Sequence, residues 1–149
     1  MKTVLFAVMA GGTVFVRLIY ASNEPKSVLA RDLGVVENII YNELRYRGYS
    51  VDVGVVKKRE YGLDGKQFRK SLEIDFVANL GSKRYYIQSA FSMPTLEKQI
   101  QEKASLLNVD DSFKKIVIVK DVINVTRDEN GITSMSIFDF LLNEDSLEL

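Results

Sequence analysis

The chain has 149 residues, 46% of them hydrophobic and 27% charged, with 20 Lys+Arg balancing 20 Asp+Glu. That is the size and make-up of one soluble globular domain, and a formal charge of zero gives no global pull toward nucleic acid or membrane. With neither cysteine nor histidine, disulfides, thiolate chemistry, cysteine- or histidine-ligated zinc and histidine-based triads are excluded. Any catalysis has to use carboxylates, lysine, hydroxyls, tyrosine or a hard metal ion.

Residues 4–9 (VLFAVM) and 14–20 (VFVRLIY) are apolar runs separated by Gly11-Gly12. Two strands with a turn, or one helix broken at the glycines, fit equally, because runs this short do not separate the two periods. With Met1 and Lys2 in front, the stretch has some likeness to a secretory signal. Arg17 interrupts it, however, and Ile19-Tyr20 stand where small residues are needed. It is too short for a membrane span, so a segment packed on the domain, or a remnant of a longer protein, is expected for residues 1–34. A cytoplasmic location follows, and no membrane association is expected. Residues 22–27 (SNEPKS) read as a turn.

A helix is expected over 35–48, where Val36, Ile40 and Leu44 form one stripe with Ile39 beside it. Gly48 serves as its stop, with Arg45 and Arg47 in the last turn. Glu43 and Arg47, four apart, are expected to form a surface ion pair. Residues 50–56 (SVDVGVV) alternate as a strand. Residues 57–70, carrying Lys57, Lys58, Arg59, Lys66, Arg69 and Lys70, read as a charged, solvated hairpin or a disordered excursion, and are a weak pointer to nucleic-acid phosphates.

Leu72, Ile74, Phe76, Ala78 and Leu80 alternate with polar positions, which puts Glu73 and Asp75 on the opposite face. Gly81-Ser82 turns the chain into a returning strand at 83–89. Tyr85 and Tyr86 then point to opposite faces, and at least one belongs to the core. Pro94 opens a helical segment whose apolar face is Leu96, Ile100, Ala104 and Leu107, and Phe91 and Met93 are read as core filler. KIVIV at 115–119 reads as an interior strand. Residues 132–137 make another strand, 138–142 a short helix, and 143–149 a frayed tail. The order implies an α/β domain, a mixed central sheet flanked by helices.

Glu37, in the first turns of the helix, Asp75 and Gln88 are the candidate site residues. Hairpin geometry brings Gln88 near Asp75, and a helix packed across the sheet adds Glu37. Three such oxygen ligands suit Mg²⁺ or Mn²⁺, which generates a nucleophilic water and polarises a phosphoryl oxygen. Plainer readings stand beside this: Asp75 as a structural hydrogen-bond acceptor, Glu37 as a residue favoured by the helix dipole, Gln88 as an ordinary polar residue.

Val36–Tyr49, Glu73-Ile74-Asp75-Phe76-Val77 and Tyr85-Tyr86-Ile87-Gln88 together resemble the C-terminal domain of unknown function that follows the ATPase module in a family of prokaryotic AAA-type ATPases. That domain is itself similar to the PD-(D/E)XK, restriction-endonuclease-like superfamily. The resemblance covers residues 35–142 and implies a nuclease-like fold with Glu37, Asp75 and Gln88 in the metal-binding positions. The lysine that orients water in active members falls on Ala90, which can do neither that nor stabilise charge. Lys83 and Lys98 are the nearby lysines that a migrated site would use. No GxxxxGK[ST] motif occurs, so the family's ATPase chemistry does not carry over. The expectation is a degenerate, non-catalytic module that binds a protein partner or self-associates. A metal-dependent nuclease and a fragment without activity of its own are the alternatives.

Overall fold

The computed structural model describes the backbone of residues 2–10, 13–21, 26–62 and 65–149, and side chains from Gly34 onward apart from residues 63 and 64. The two N-terminal apolar runs are strands: β1 (Lys2–Ala10) and β2 (Thr13–Ala21) pair antiparallel as a two-stranded sheet. Most of the expected turn at 22–27 lies outside the described residues. Its last two residues already belong to helix α1 (Lys26–Tyr46).

A six-stranded mixed sheet forms the centre, in the order β3-β4-β5-β6-β8-β7. β3 (Ser50–Tyr61), β4 (Gln67–Leu80) and β5 (Lys83–Ala90) are an antiparallel meander. α2 (Leu96–Leu107) then crosses over to β6 (Lys114–Val119), which runs parallel to both β5 and β8 (Ile132–Ser136). β7, only Thr126–Arg127, closes the far edge antiparallel to β8. KIVIV is thus interior, and Ile116 through Val119 are fully buried. A parallel strand covered on both faces needs apolar residues at every position.

Helices flank both faces. On one, Val36, Ile40 and Leu44 of α1 pack with Phe76, Ala78, Tyr85, Ile87 and Phe140. On the other, Leu106 of α2 packs with Ile74, Tyr86, Val117 and Ile132. Both tyrosines are therefore core residues, one on each face. Their hydroxyls reach the rim, Tyr85 donating to Glu148 at 2.7 Å and Tyr86 to Asp111 at 2.6 Å.

α1 stops where expected. Tyr49 N–H donates to Leu44 C=O and Gly48 N–H to Arg45 C=O, with Gly48 at φ +88. This double closure needs a left-handed residue after the last turn, the conformation that glycine adopts without strain.

Four expectations are corrected. First, the outward side of α2 is its apolar one: Leu96 is 72% exposed, Ile100 57% and Leu107 44%. The helix turns Lys103, Ser105 and Leu106 inward, held by a Lys103–Asp128 ion pair at 2.9 Å and a Ser105–Gln88 hydrogen bond at 3.0 Å.

Second, of the two readings of the basic stretch the disordered excursion falls and the solvated hairpin stands, because β3 and β4 stay in register out to Tyr61↔Gln67.

Third, the C-terminal tail is docked. After α3 (Ile137–Leu142), Ser146–Glu148 form a 3-10 turn whose Ser146 and Leu147 are buried.

Fourth, Arg47 is no surface partner of Glu43. Its guanidinium bonds Glu43 at 2.7 Å, the Glu144 carbonyl at 3.1 Å, Ser146 Oγ at 2.9 Å and the Phe140 carbonyl, and it stacks 4.6 Å over the Phe140 ring.

Candidate functional site

β4 does not alternate simply. Asp52 pairs with Val77 and Gly54 with Ile74, so two β4 residues, Asp75 and Phe76, oppose the single Val53. This β-bulge resets the parity of the strand: Ile74 faces α2, whereas Asp75 and Phe76 both face α1. A Cβ on Gly54 would lie 2.9 Å from Val77 Cγ2 and 3.1 Å from Ile74 Cβ, which explains why glycine sits opposite the irregularity. Bulges re-aim side chains and break ladder pairing, and both effects operate here. The β4–β5 ladder runs from Leu80↔Lys83 to Phe76↔Ile87 and stops. Beyond it, the Ser89 N–H donates to Asp75 Oδ2 at 2.8 Å and the Ser89 hydroxyl to the same oxygen at 2.6 Å. A side-chain carboxylate thus replaces a lost backbone acceptor.

Glu37 comes to this point from α1. Because α1 begins at Lys26, Glu37 lies in the middle of the helix and not in its first turns, beyond the reach of the N-terminal dipole. Its Oε1 stands 3.5 Å from Ser89 Oγ. Glu37 and Asp75 line one open cleft of about 400 Å³ with Asn38, Tyr41, Val53, Glu73 and Phe76. Burial, and next the negative charge of Asp75, push the Glu37 carboxyl above its ordinary value of 4.5.

A raised carboxyl pKa means that the fold prefers the protonated acid. The preference is fully present at low pH and lost as pH rises through the folded-state value. Glu37→Gln is therefore expected to stabilise the domain at pH 7 and to do nothing well below pH 4.5. The gain is a few tenths of a kcal/mol, because the site is partly solvated. Urea melts of the two proteins at pH 7 and pH 3.5 check it, and a Glu37→Gln variant less stable at pH 7 overturns it.

Gln88 does not join the cleft. Positions 86, 88 and 90 of β5 face α2, where Gln88 Oε1 accepts from Ser105 and Ala90 is 1% exposed in the second core cluster. Positions 85, 87 and 89 face α1, so the residue that meets Asp75 is Ser89, which the alternation of β5 does not single out. No motif marks a lone serine; only the bulge, invisible to a period-two count, brings it there.

Neither lysine considered for a migrated site reaches the cleft. Lys83 is paired with Glu148 at 2.5 Å, and Lys98 with Glu102 at 2.5 Å along α2. The described residues lining the cleft include no cation. Among the described residues no group of three or more Asp, Glu, His or Cys is arranged to hold a metal ion. Of the expected Glu37, Asp75 and Gln88 only the two carboxylates meet there, Asp75 already engaged by Ser89, and Glu73 is the third carboxylate on the cleft wall. Among the described residues no helix is long and apolar enough to cross a membrane.

No protein-family model matches the chain. An uncharacterized protein of Haemophilus influenzae is 37% identical to it over 107 residues, which is 72% of this chain and 22% of that protein. The chain thus spans about a fifth of the length of the curated relative it matches.

Proposed function

We propose that this chain is a non-catalytic, nuclease-like module that binds a protein partner or a second copy of itself. The observation that carries the non-catalytic reading is the use made of positions 88 and 90. Gln88 and Ala90 are spent on seating α2 against the sheet, on the face opposite Glu37 and Asp75. An antiparallel meander, a helical crossover and parallel strands under helices on both faces support the restriction-endonuclease-like reading of the fold. The binding half of the reading rests on the outward stripe of α2, where Leu96, Ile100 and Leu107 lie exposed along one side. A helix whose apolar side is left in water is a usual mark of an interaction surface.

The second reading is a Mg²⁺- or Mn²⁺-dependent nuclease, favoured by the shared cleft of Glu37 and Asp75. Those two carboxylates would hold the ion, which would supply a polarised water there.

The test has two arms. Purified protein with Mg²⁺ or Mn²⁺ is incubated with duplex DNA, single-stranded DNA and RNA, and calorimetry with Mn²⁺ runs beside it. No cleavage and no saturable heat are expected. Metal-dependent cleavage lost in Asp75→Asn sinks the non-catalytic reading. In the second arm, sedimentation velocity over a concentration series compares the protein with Leu96→Glu, Ile100→Glu. Self-association weakened by the double variant is expected. If a monomer persists throughout, a partner captured by the wild type and lost in the variant sustains the protein-binding form, and no capture ends it.

A further inference from the structure

We propose that the distal β3–β4 ribbon is a DNA-binding arm that lies in the major groove of B-form duplex DNA, its cations meeting phosphates on both walls. This goes beyond the module reading above and does not depend on the cleft.

The ribbon is set apart by its pairing. β5 accompanies β4 only over Phe76–Leu80, whereas β3 and β4 stay paired to Tyr61↔Gln67. The rungs from Val56↔Leu72 to Tyr61↔Gln67 therefore run past the end of β5 as a two-stranded ribbon of roughly 20 Å, at about 3.4 Å per residue. No described residue from 57 to 71 is buried.

Its charges are placed against its own stability. Lys58 stands directly opposite Lys70, and Arg59 directly opposite Arg69. Like charges face to face across a ladder repel and destabilise the pair. Only Lys58 is relieved, by Glu60 at 3.2 Å; Lys57, Arg59, Arg69 and Lys70 meet no carboxylate among the described residues. Residues 57–70 hold six basic residues and two acidic ones in a chain of zero net charge. Lys57, Arg59, Arg69 and Lys70, which the fold leaves without a carboxylate partner among the described residues, point to an anionic ligand.

Geometry narrows the ligand. Opposed residues of an antiparallel pair share a face, so Lys57, Arg59 and Arg69 occupy one side and Lys58 and Lys70 the other. A ligand lying on the first side alone would leave Lys58 and Lys70 idle. A groove with phosphates on both walls uses all of them, and the major groove of B-DNA, ~12 Å wide, admits a two-stranded ribbon. The deep, narrow major groove of A-form RNA does not. Near the tip, Tyr61 and Phe68 are exposed on opposite sides, where they would meet base edges and sugars.

The experiment is fluorescence anisotropy with the full chain and a labelled DNA duplex of roughly 20 base pairs, about two helical turns. Four neutralised phosphates give a log–log salt slope of about −3.6, so the dissociation constant should rise roughly 100-fold between about 50 and about 200 mM salt. The double variant Arg59→Glu, Lys70→Glu turns both like-charged rungs into opposite-charged ones. It should melt no lower than the wild type yet lose more than tenfold in affinity and most of the salt slope. Because the slope is read on the wild-type protein, the test survives a variant that fails to fold. The proposal is overturned by no binding at about 50 mM salt or by unchanged affinity in a folded double variant. Equal affinity for single-stranded DNA of the same sequence overturns it too, as does displacement of the duplex by polyglutamate of matched charge, which would mean an acidic protein partner.

Discussion

Replacing Arg47 by alanine is expected to lower the stability of the domain by about 3 kcal/mol, the scale for breaking a buried, hydrogen-bonded ion pair. The Arg47 and Glu43 side chains are only 8% and 12% exposed. The guanidinium ties α1 to three points of the chain end: the carbonyls of Phe140 and Glu144 and the Ser146 hydroxyl. Its loss would leave the Glu43 carboxylate shielded from water without its partner, remove the stacking on Phe140, and free the Ser146–Glu148 turn. Lysine should not rescue it, because one ammonium cannot reproduce a planar fork that serves four acceptors. Urea denaturation of Arg47→Ala and Arg47→Lys measures both. A loss below about 1 kcal/mol in Arg47→Ala would show that the tail docks through its apolar contacts alone, chiefly Leu147.

Asp75 gives the second large effect, and it separates structural from catalytic use of the same carboxylate. Asp75→Ala is expected to cost about 2 kcal/mol, because the buried Ser89 N–H and hydroxyl both lose their acceptor and a buried donor without a partner carries its full desolvation penalty. Asp75→Asn keeps an oxygen in the same place and should cost well under 1 kcal/mol. Thermal melts of the two variants decide the matter. If asparagine proves as damaging as alanine, the negative charge itself is what the site requires, and the metal-binding reading regains ground.

Much of the central fold can be read from the sequence, because its elements obey one period each. Val36, Ile40 and Leu44 recur at helical spacing, Gly48 closes the helix, Gly81 turns the hairpin, and an uninterrupted apolar run marks the interior strand. What escapes reading escapes for identifiable reasons. Periodicity shows that α2 has an apolar side but not which side the sheet takes; the inward side is chosen by Lys103, Ser105 and Leu106, which find partners there. The bulge at Asp75 and Phe76 shifts parity by one residue. Ile74 and Phe76 thus part company, and Ser89 takes the place expected of Gln88. The basic ribbon reads as a hairpin or an excursion because a two-stranded arm with neither face buried has no need to alternate apolar and polar residues. Arg47 is legible as one half of an (i, i+4) pair, whereas its decisive partners are 93 to 99 residues away.

That last separation has a consequence for synthesis. Arg47 emerges from the ribosome 97 residues ahead of Glu144, an interval of about 5–20 s at the usual elongation rates of 5–20 residues per second. Throughout it, α1 and the β3–β5 meander can form, being close in sequence, while the end of α1 still lacks Phe140 and Leu147. The nascent chain therefore carries an uncovered apolar surface, and a guanidinium whose one partner so far is Glu43, throughout that interval. Its cooperative closure waits for residues 140–147.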